Sequence, residues 1–255
     1  MKSKANIFKV LGLCLFSLGI IIGAVILAVT VWGNIEAFGF YPSFNSERAL
    51  RSLSCPIVIT SNETGIISVV VDNPLDYQIK PSVKSIISKG FISYFEEDSR
   101  ILEIAPDESV TIEWPITAKD AVYKKFIMAR VIVNHSMPLV DAESVCSIFI
   151  LNIPFSNGAT ILTILSVFYL VFTIGGYFLW QSNKHSSLAT SKHTQRALRL
   201  LFAATTVGLL AVPFRMWAIS AIALISVILM AVSSLTLILY ISSSNESDIS
   251  SNKLM

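Results

Sequence analysis

Four long apolar stretches constrain this chain more than anything else in it. Val10–Trp32, Phe155–Trp180 and Trp217–Ile241 carry no charged side chain, and Ala197–Phe214 carries only Arg199, near its start. A hydrocarbon core about 30 Å thick takes roughly 20 mostly apolar residues in a helix. Each stretch meets or approaches that length. The spacing predicts transmembrane helices over residues 10–32, 155–180, 197–214 and 217–241. Only Arg215 and Met216 separate the last two, with Pro213 just before, and together they are about twice a bilayer span, so they read as a tight helical hairpin. The composition agrees: 53% of the 255 residues are hydrophobic and 14% charged, against roughly a quarter charged in soluble chains.

The positive n-region Lys2, Lys4 and Lys9 opens the first stretch as it would a signal peptide. Its apolar run exceeds the roughly 7–15 residues of a signal core and ends in a poor small-x-small site, which favours an uncleaved anchor. Lys/Arg in short loops set the orientation. The N-terminus (residues 1–9) and the loop over residues 181–196 are basic and hold no acid, so both are expected in the cytoplasm, with the 242–255 tail. Residues 33–154 then lie outside a plasma membrane, and Arg215 and Trp217 act as anchors at the outer interface.

Fifteen of the seventeen Asp/Glu fall between Glu36 and Glu143, which makes this middle region the aqueous domain. Its apolar residues alternate in short runs: Cys55–Thr60, Ile66–Val71, Val83–Ser88, Phe91–Phe95, Ile101–Ile104, Ser109–Thr117, Phe126–Asn134 and Val145–Leu151. Seven or eight short strands over about a hundred residues point to a β-sandwich. A helical turn capped by Ser46 is expected before it, at residues 46–51. The run Leu102-Glu103-Ile104-Ala105-Pro106-Asp107-Glu108-Ser109-Val110-Thr111-Ile112-Glu113-Trp114 resembles the strand–turn–strand of bacterial and archaeal extracytoplasmic immunoglobulin-like domains. Asp107 stands where their Pro-Gly-Glu-Ser turn has glycine. The resemblance implies a fold more than an activity, because such domains serve adhesion, stalk, scaffolding and subunit roles. The expected fold class is an α+β membrane protein: four transmembrane helices, with an immunoglobulin-like antiparallel sandwich between the first and second.

Few residues point to chemistry. Cys55 and Cys146 sit in the first and last candidate strands, and either a disulfide or two separate buried thiols suits them. His135, His185 and His193 are the only histidines, and no phosphate loop, nucleophile elbow or metal motif is present. The cluster Glu96-Glu97-Asp98 lacks the ligand spacing of a calcium loop and is expected as a solvated turn. Two Asn-x-Ser/Thr triplets, at Asn62 and Asn134, lie in the outer region. Charged groups away from the ends of the spans, the usual mark of a transport pathway, are missing. A net charge of +2 without a basic stripe argues against nucleic acid. In the first helix Gly12, Gly19 and Gly23 share one face, and small residues there let backbones approach within lipid. We therefore expect a non-enzymatic protein without cofactor or metal. Its partners are membrane lipid and another envelope or membrane protein, recognised through the sandwich, with Pro56, Pro115 and Phe91–Phe95 marking edges. The alternative is an accessory subunit of a transport or energy-converting complex.

Overall fold

The structure is a computed structural model that describes residues 2–40, 48–90, 94–135, 138–153, 157–182, 192–214 and 216–233. It divides into two compact units, Val29–Leu165 and Met1–Ala28 with Ser166–Met255. Each is described by itself below. Among the described residues there are four α-helices: α1 (Lys2–Phe40), α2 (Gly158–Ser182), α3 (Lys192–Ala211) and α4 (Trp217–Ser233). Two segments, Val10–Gly39 and Gly158–Gln181, are long and apolar enough to cross a membrane, and Trp217–Ser233 is a shorter apolar helix. The helix at α1 runs past Trp32 because no proline stands between Gly33 and Phe40; the first one along the chain is Pro42.

In the helical unit a few large apolar residues and several hydroxyls face inward, while many other large apolar residues lie exposed. Phe16, Ile20, Leu27 and Tyr169 are buried, as are Thr173, Thr205 and Ser220. Val10, Leu13, Ile21 and Val25 of α1, Val167 and Val171 of α2, and Ile222 and Leu229 of α4 are exposed. The glycines set the helix spacing. A Cβ at Gly12 would stand 2.7 Å from Trp180 N and 2.9 Å from Gly176 O; one at Gly19 would meet Thr173, and one at Gly23 would meet Thr205 and Tyr169. Gly208 is equally close to Ala223. The hydroxyls return their protons to backbone, Thr173 Oγ1 to Tyr169 O (2.6 Å) and Thr205 Oγ1 to Leu201 O (2.8 Å). Ser220 Oγ donates across to Gly208 O (3.0 Å), and Tyr169 Oη bonds Thr206 Oγ1 (2.7 Å).

The second unit is a two-sheet sandwich. Its strands are β1 (Arg48–Ala49), β2 (Val58–Thr60), β3 (Gly65–Asp72), β4 (Ser82–Lys89), β5 (Tyr94–Ile101), β6 (Ser109–Ile116), β7 (Phe126–Asn134) and β8 (Ala142–Leu151). The large sheet runs β1-β8-β7-β4-β5, with β2 also pairing β8, and the small sheet is β3-β6. β1 and β2 pair β8 in parallel, while the other pairs are antiparallel. This order puts β4, β7 and β8 in the relation of the C, F and G strands of an immunoglobulin-type sandwich. Inward positions alternate as a half-buried strand requires: Ile67, Val69 and Val71 from β3 and Ile112, Trp114 and Ile116 from β6 meet Val83, Ile127, Ala129, Val131, Val133 and Ile148. Cys55 and Cys146 are joined by a disulfide with a Cα–Cα distance of 6.7 Å.

Three local expectations are corrected. Residues 48–49 form a short strand on β8 rather than part of a helical turn, because the ladder to Ala142 and Glu143 satisfies their backbone. Residues 46–47 lie outside the described residues. Glu96-Glu97-Asp98 is strand, not turn, since an edge strand tolerates the charges that strand propensity disfavours. Finally, Ile104 lies in a single bridge to Ile79, so the run from Leu102 to Ala105 is not a strand of its own. The turn after it is tight, and Asp107 takes φ +56° where the resembling pattern has glycine.

Candidate functional site

Among the described residues no further strand pairs with β5 of the large sheet or with the second edge of β6 in the small one. Between them lies a cleft of about 330 Å³, lined by Ser85, Glu96, Asp98, Arg100, Trp114 and Pro115 among others. Its position follows from sequence chemistry. Pro115 cannot donate to a ladder, which keeps a further strand off that end of β6, and the acids of β5 blunt the other edge.

One hydrogen-bonded group spans the cleft. The buried indole of Trp114 donates from Nε1 to Asp98 Oδ2 at 2.9 Å, and Arg100 Nε donates to the same oxygen at 2.8 Å. The indole N–H and the neighbouring guanidinium hold the Asp98 carboxyl below the ordinary carboxylate range, against the opposing effect of burial. The other acids of β5 are paired with β4, Glu97 to Lys84 Nζ (2.7 Å) and Glu96 to Lys89. Below the cleft Ser88 Oγ donates to Asp120 O (2.9 Å) and accepts from Met128 N (2.9 Å). The site is thus a polar, charge-paired concavity at a sheet edge, suited to extended chain or polar loops, with no nucleophile–base pair in it. Among the described residues no group of three or more His, Cys, Asp or Glu is placed to hold a metal ion.

The opposite face of the large sheet is occupied. Ala37 of α1 packs with Val122 and Met128, against Ile86, Phe95 and Val145. A Cβ on Gly33 would run into Ser147 and Phe126. Phe95 therefore belongs to this packing and not to a free interface, and residues 91–93 lie outside the described residues. The same face holds the ion pair Arg130 Nη2–Glu143 Oε2 (2.6 Å), with side chains 10% and 1% exposed. At the base of the sandwich Glu63 Oε2 accepts from Thr60 N (3.0 Å) and from Gly158 N (2.8 Å), the first residue of α2. A carboxylate there complements the helix's orphan N–H groups and its dipole. Gly158 is in turn pressed against the Val58 carbonyl, which leaves no room for a Cβ.

The expected site residues are therefore scattered. Gly12, Gly19 and Gly23 meet α2 and α3 of the same chain. Trp217 opens α4, and Arg215 lies outside the described residues. Pro115 lines the cleft, whereas Pro56 packs against Gly65. Two groups escaped the sequence reading. Trp114–Asp98 joins strands sixteen residues apart, and no local signal pairs them. Glu63–Gly158 spans 95 residues, and its only sequence trace is an acid in a turn beside the sandwich's base.

No protein-family model matches the chain, and no curated protein matches it in sequence. Among solved structures, it is similar to the CARDB domain of a Pyrococcus furiosus protein (12% identity, TM-score 0.30, 39% of this chain and 84% of that one). It is also similar to a cycloisomaltooligosaccharide glucanotransferase from a Paenibacillus species (9% identity, TM-score 0.30, covering 43% of this chain). A third is a β-glucosidase from Listeria innocua (16% identity, TM-score 0.27, covering 38%). The chain spans only 14% and 15% of the lengths of the last two. At such scores none of these likenesses carries an argument about function.

Proposed function

We propose that this chain is a non-enzymatic, four-span membrane protein that presents an immunoglobulin-like sandwich outside a plasma membrane to bind another envelope protein. The termini and the basic 181–196 loop face the cytoplasm. The observation that carries the reading is the attachment of the sandwich: Gly33 and Ala37 of α1 pack on one sheet face, and Glu63 and Val58 hold the start of α2. The large sheet is thereby fixed on one face, and the β5/β6 cleft is left open. Three features support the membrane reading. The helical unit exposes many large apolar residues, among them Val10, Ile21, Val25, Val167, Val171, Ile222 and Leu229, more than a water-soluble bundle would leave in contiguous patches. Two helices are long and apolar enough to cross. Finally, the basic and acid-free segments alternate with the polar domain as the positive-inside rule requires.

The test is recovery of the tagged full chain from its native membrane in mild detergent. A partner that co-purifies with the wild type and is lost on Glu96→Lys/Glu97→Lys, with thermal stability retained, supports recognition through the cleft. Recovery of the chain alone counts against it. The exposed apolar faces of α2 and α4 favour a second reading, an accessory subunit assembled through its helices. In that case the partner survives the cleft variants and is lost on Val167→Trp/Val171→Trp. Leucine at Gly19 and Gly23 does not separate the two readings, because both glycines are already in contact within the chain.

A further inference from the structure

We propose that the helical unit holds one anionic phospholipid, with its phosphate on Arg199 and an acyl chain in an aromatic pocket between α1, α2 and α3. The pocket has a volume of about 220 Å³ and is walled by Phe16, Ile174, Tyr177, Phe178, Leu198 and Phe202, with Arg199 at its rim. Its floor is buried Phe16, while Phe178 and Arg199 are exposed, so it opens sideways from the helices. That is the shape an acyl chain needs and a water-borne ligand does not.

Charge supplies the second half of the argument. Arg199 Nε donates to Tyr177 Oη at 2.9 Å, which fixes the guanidinium plane and leaves the Nη nitrogens for another acceptor. None of the ion pairs among the described residues involves Arg199. Nor does any acid stand nearby in sequence, since there is no Asp or Glu between Glu143 and Glu246. Arg196 lies one turn earlier on α3, so cationic charge accumulates on this end, and no acid among the described residues is ion-paired with it. A guanidinium fork matches a phosphate in two parallel hydrogen bonds, and basic pockets between helices at the cytoplasmic side are suited to anionic headgroups. The inference rests on the proposed topology, which puts this end of α2 and α3 in the inner leaflet.

The experiment is native mass spectrometry of the full chain released from detergent after titration with dioleoyl phosphatidylglycerol or dioleoyl phosphatidylcholine. The wild type is expected to retain phosphatidylglycerol at least fivefold better, and Arg199→Gln to reduce that retention to the phosphatidylcholine level. Arg199→Lys, which keeps the charge but loses the fork, falls between them, and Leu198→Trp, which fills the pocket, lowers retention of both lipids. Equal retention of the two lipids by the wild type, or phosphatidylglycerol retained in full by Arg199→Gln, overturns the proposal. So does displacement of the lipid by millimolar inorganic phosphate, which would mark a site for a free anion. Labelling of Ser187→Cys with a membrane-impermeant maleimide tests the topology separately. Reaction only in inverted vesicles upholds it, so that a lipid failure then falls on the pocket alone. Reaction from outside the cell overturns both.

Discussion

At the scale of single residues, the positions that bear most weight are those where burial or close backbone contact constrains what can stand there. Gly158 is one. With the Val58 carbonyl against it, Gly158→Ala forces β2 or α2 to move, and overpacking of this kind costs about 1–3 kcal/mol. The full chain in detergent should melt earlier by a corresponding amount, and Gly39→Ala, where a Cβ meets nothing, should not. His135 is another. Burial outweighs its neighbour Asp141 and pushes the imidazole below its ordinary value of 6.5. A histidine whose folded value is depressed binds its proton more readily when unfolded, so the stability it contributes is present above 6.5 and falls as pH drops below it. Asp98, also depressed, contributes stability above 3.8 that is lost as pH falls further. Thermal melts across pH 7.5 to 5 should show a decline that His135→Gln removes. A decline unchanged in that variant would assign it to other groups.

Among elements, the large sheet depends on what covers its outer face. Arg130 on β7 and Glu143 on β8 are nearly excluded from water and paired. Removing one partner strands a buried charge, at a cost of about 3–5 kcal/mol, whereas replacing both with apolar residues is close to neutral. Glu143→Leu alone should therefore unfold the sandwich at distinctly lower denaturant, and Arg130→Met/Glu143→Leu should recover most of the loss. The strands themselves were legible where burial alternates with period two, as in β3 and β6. β5 was not: its Glu96, Glu97, Asp98 and Arg100 contradict strand propensity. The ladder to β4, together with the partners Lys84 and Lys89 on β4 and Trp114 on β6, explains why the segment is extended. The disulfide from Cys55 to Cys146 closes 91 residues of sequence. Reduction, or Cys55→Ala/Cys146→Ala, should cost about 2–5 kcal/mol, read as a lower melting temperature of the full chain under reductant.

On the scale of the whole molecule, sequence bias separates the two units. Apolar stretches with inward glycines build one unit, and the segment that holds nearly all the acids builds the other. Close approach at Gly12, Gly19 and Gly23 works alongside the small core of Phe16, Ile20, Tyr169 and Val227 to hold the helices together. Leucine at Gly19 should consequently disperse the bundle, measured as loss of the monodisperse detergent peak, with the sandwich still bearing its disulfide.

What the residues determined on their own is whatever local periodicity and composition encode: the apolar helices, the alternating strands, the small-residue face of α1. These depend on a side chain's immediate neighbours and on the solvent that surrounds them. Tertiary structure alone decided which distant groups meet. The continuation of α1 onto the sheet through Ala37, the hold of Glu63 on Gly158, and the Trp114–Asp98 link across the cleft join residues with no shared periodicity. Such contacts are selected by geometry after the elements form, since a buried donor or carboxylate needs a partner wherever the fold brings one within reach.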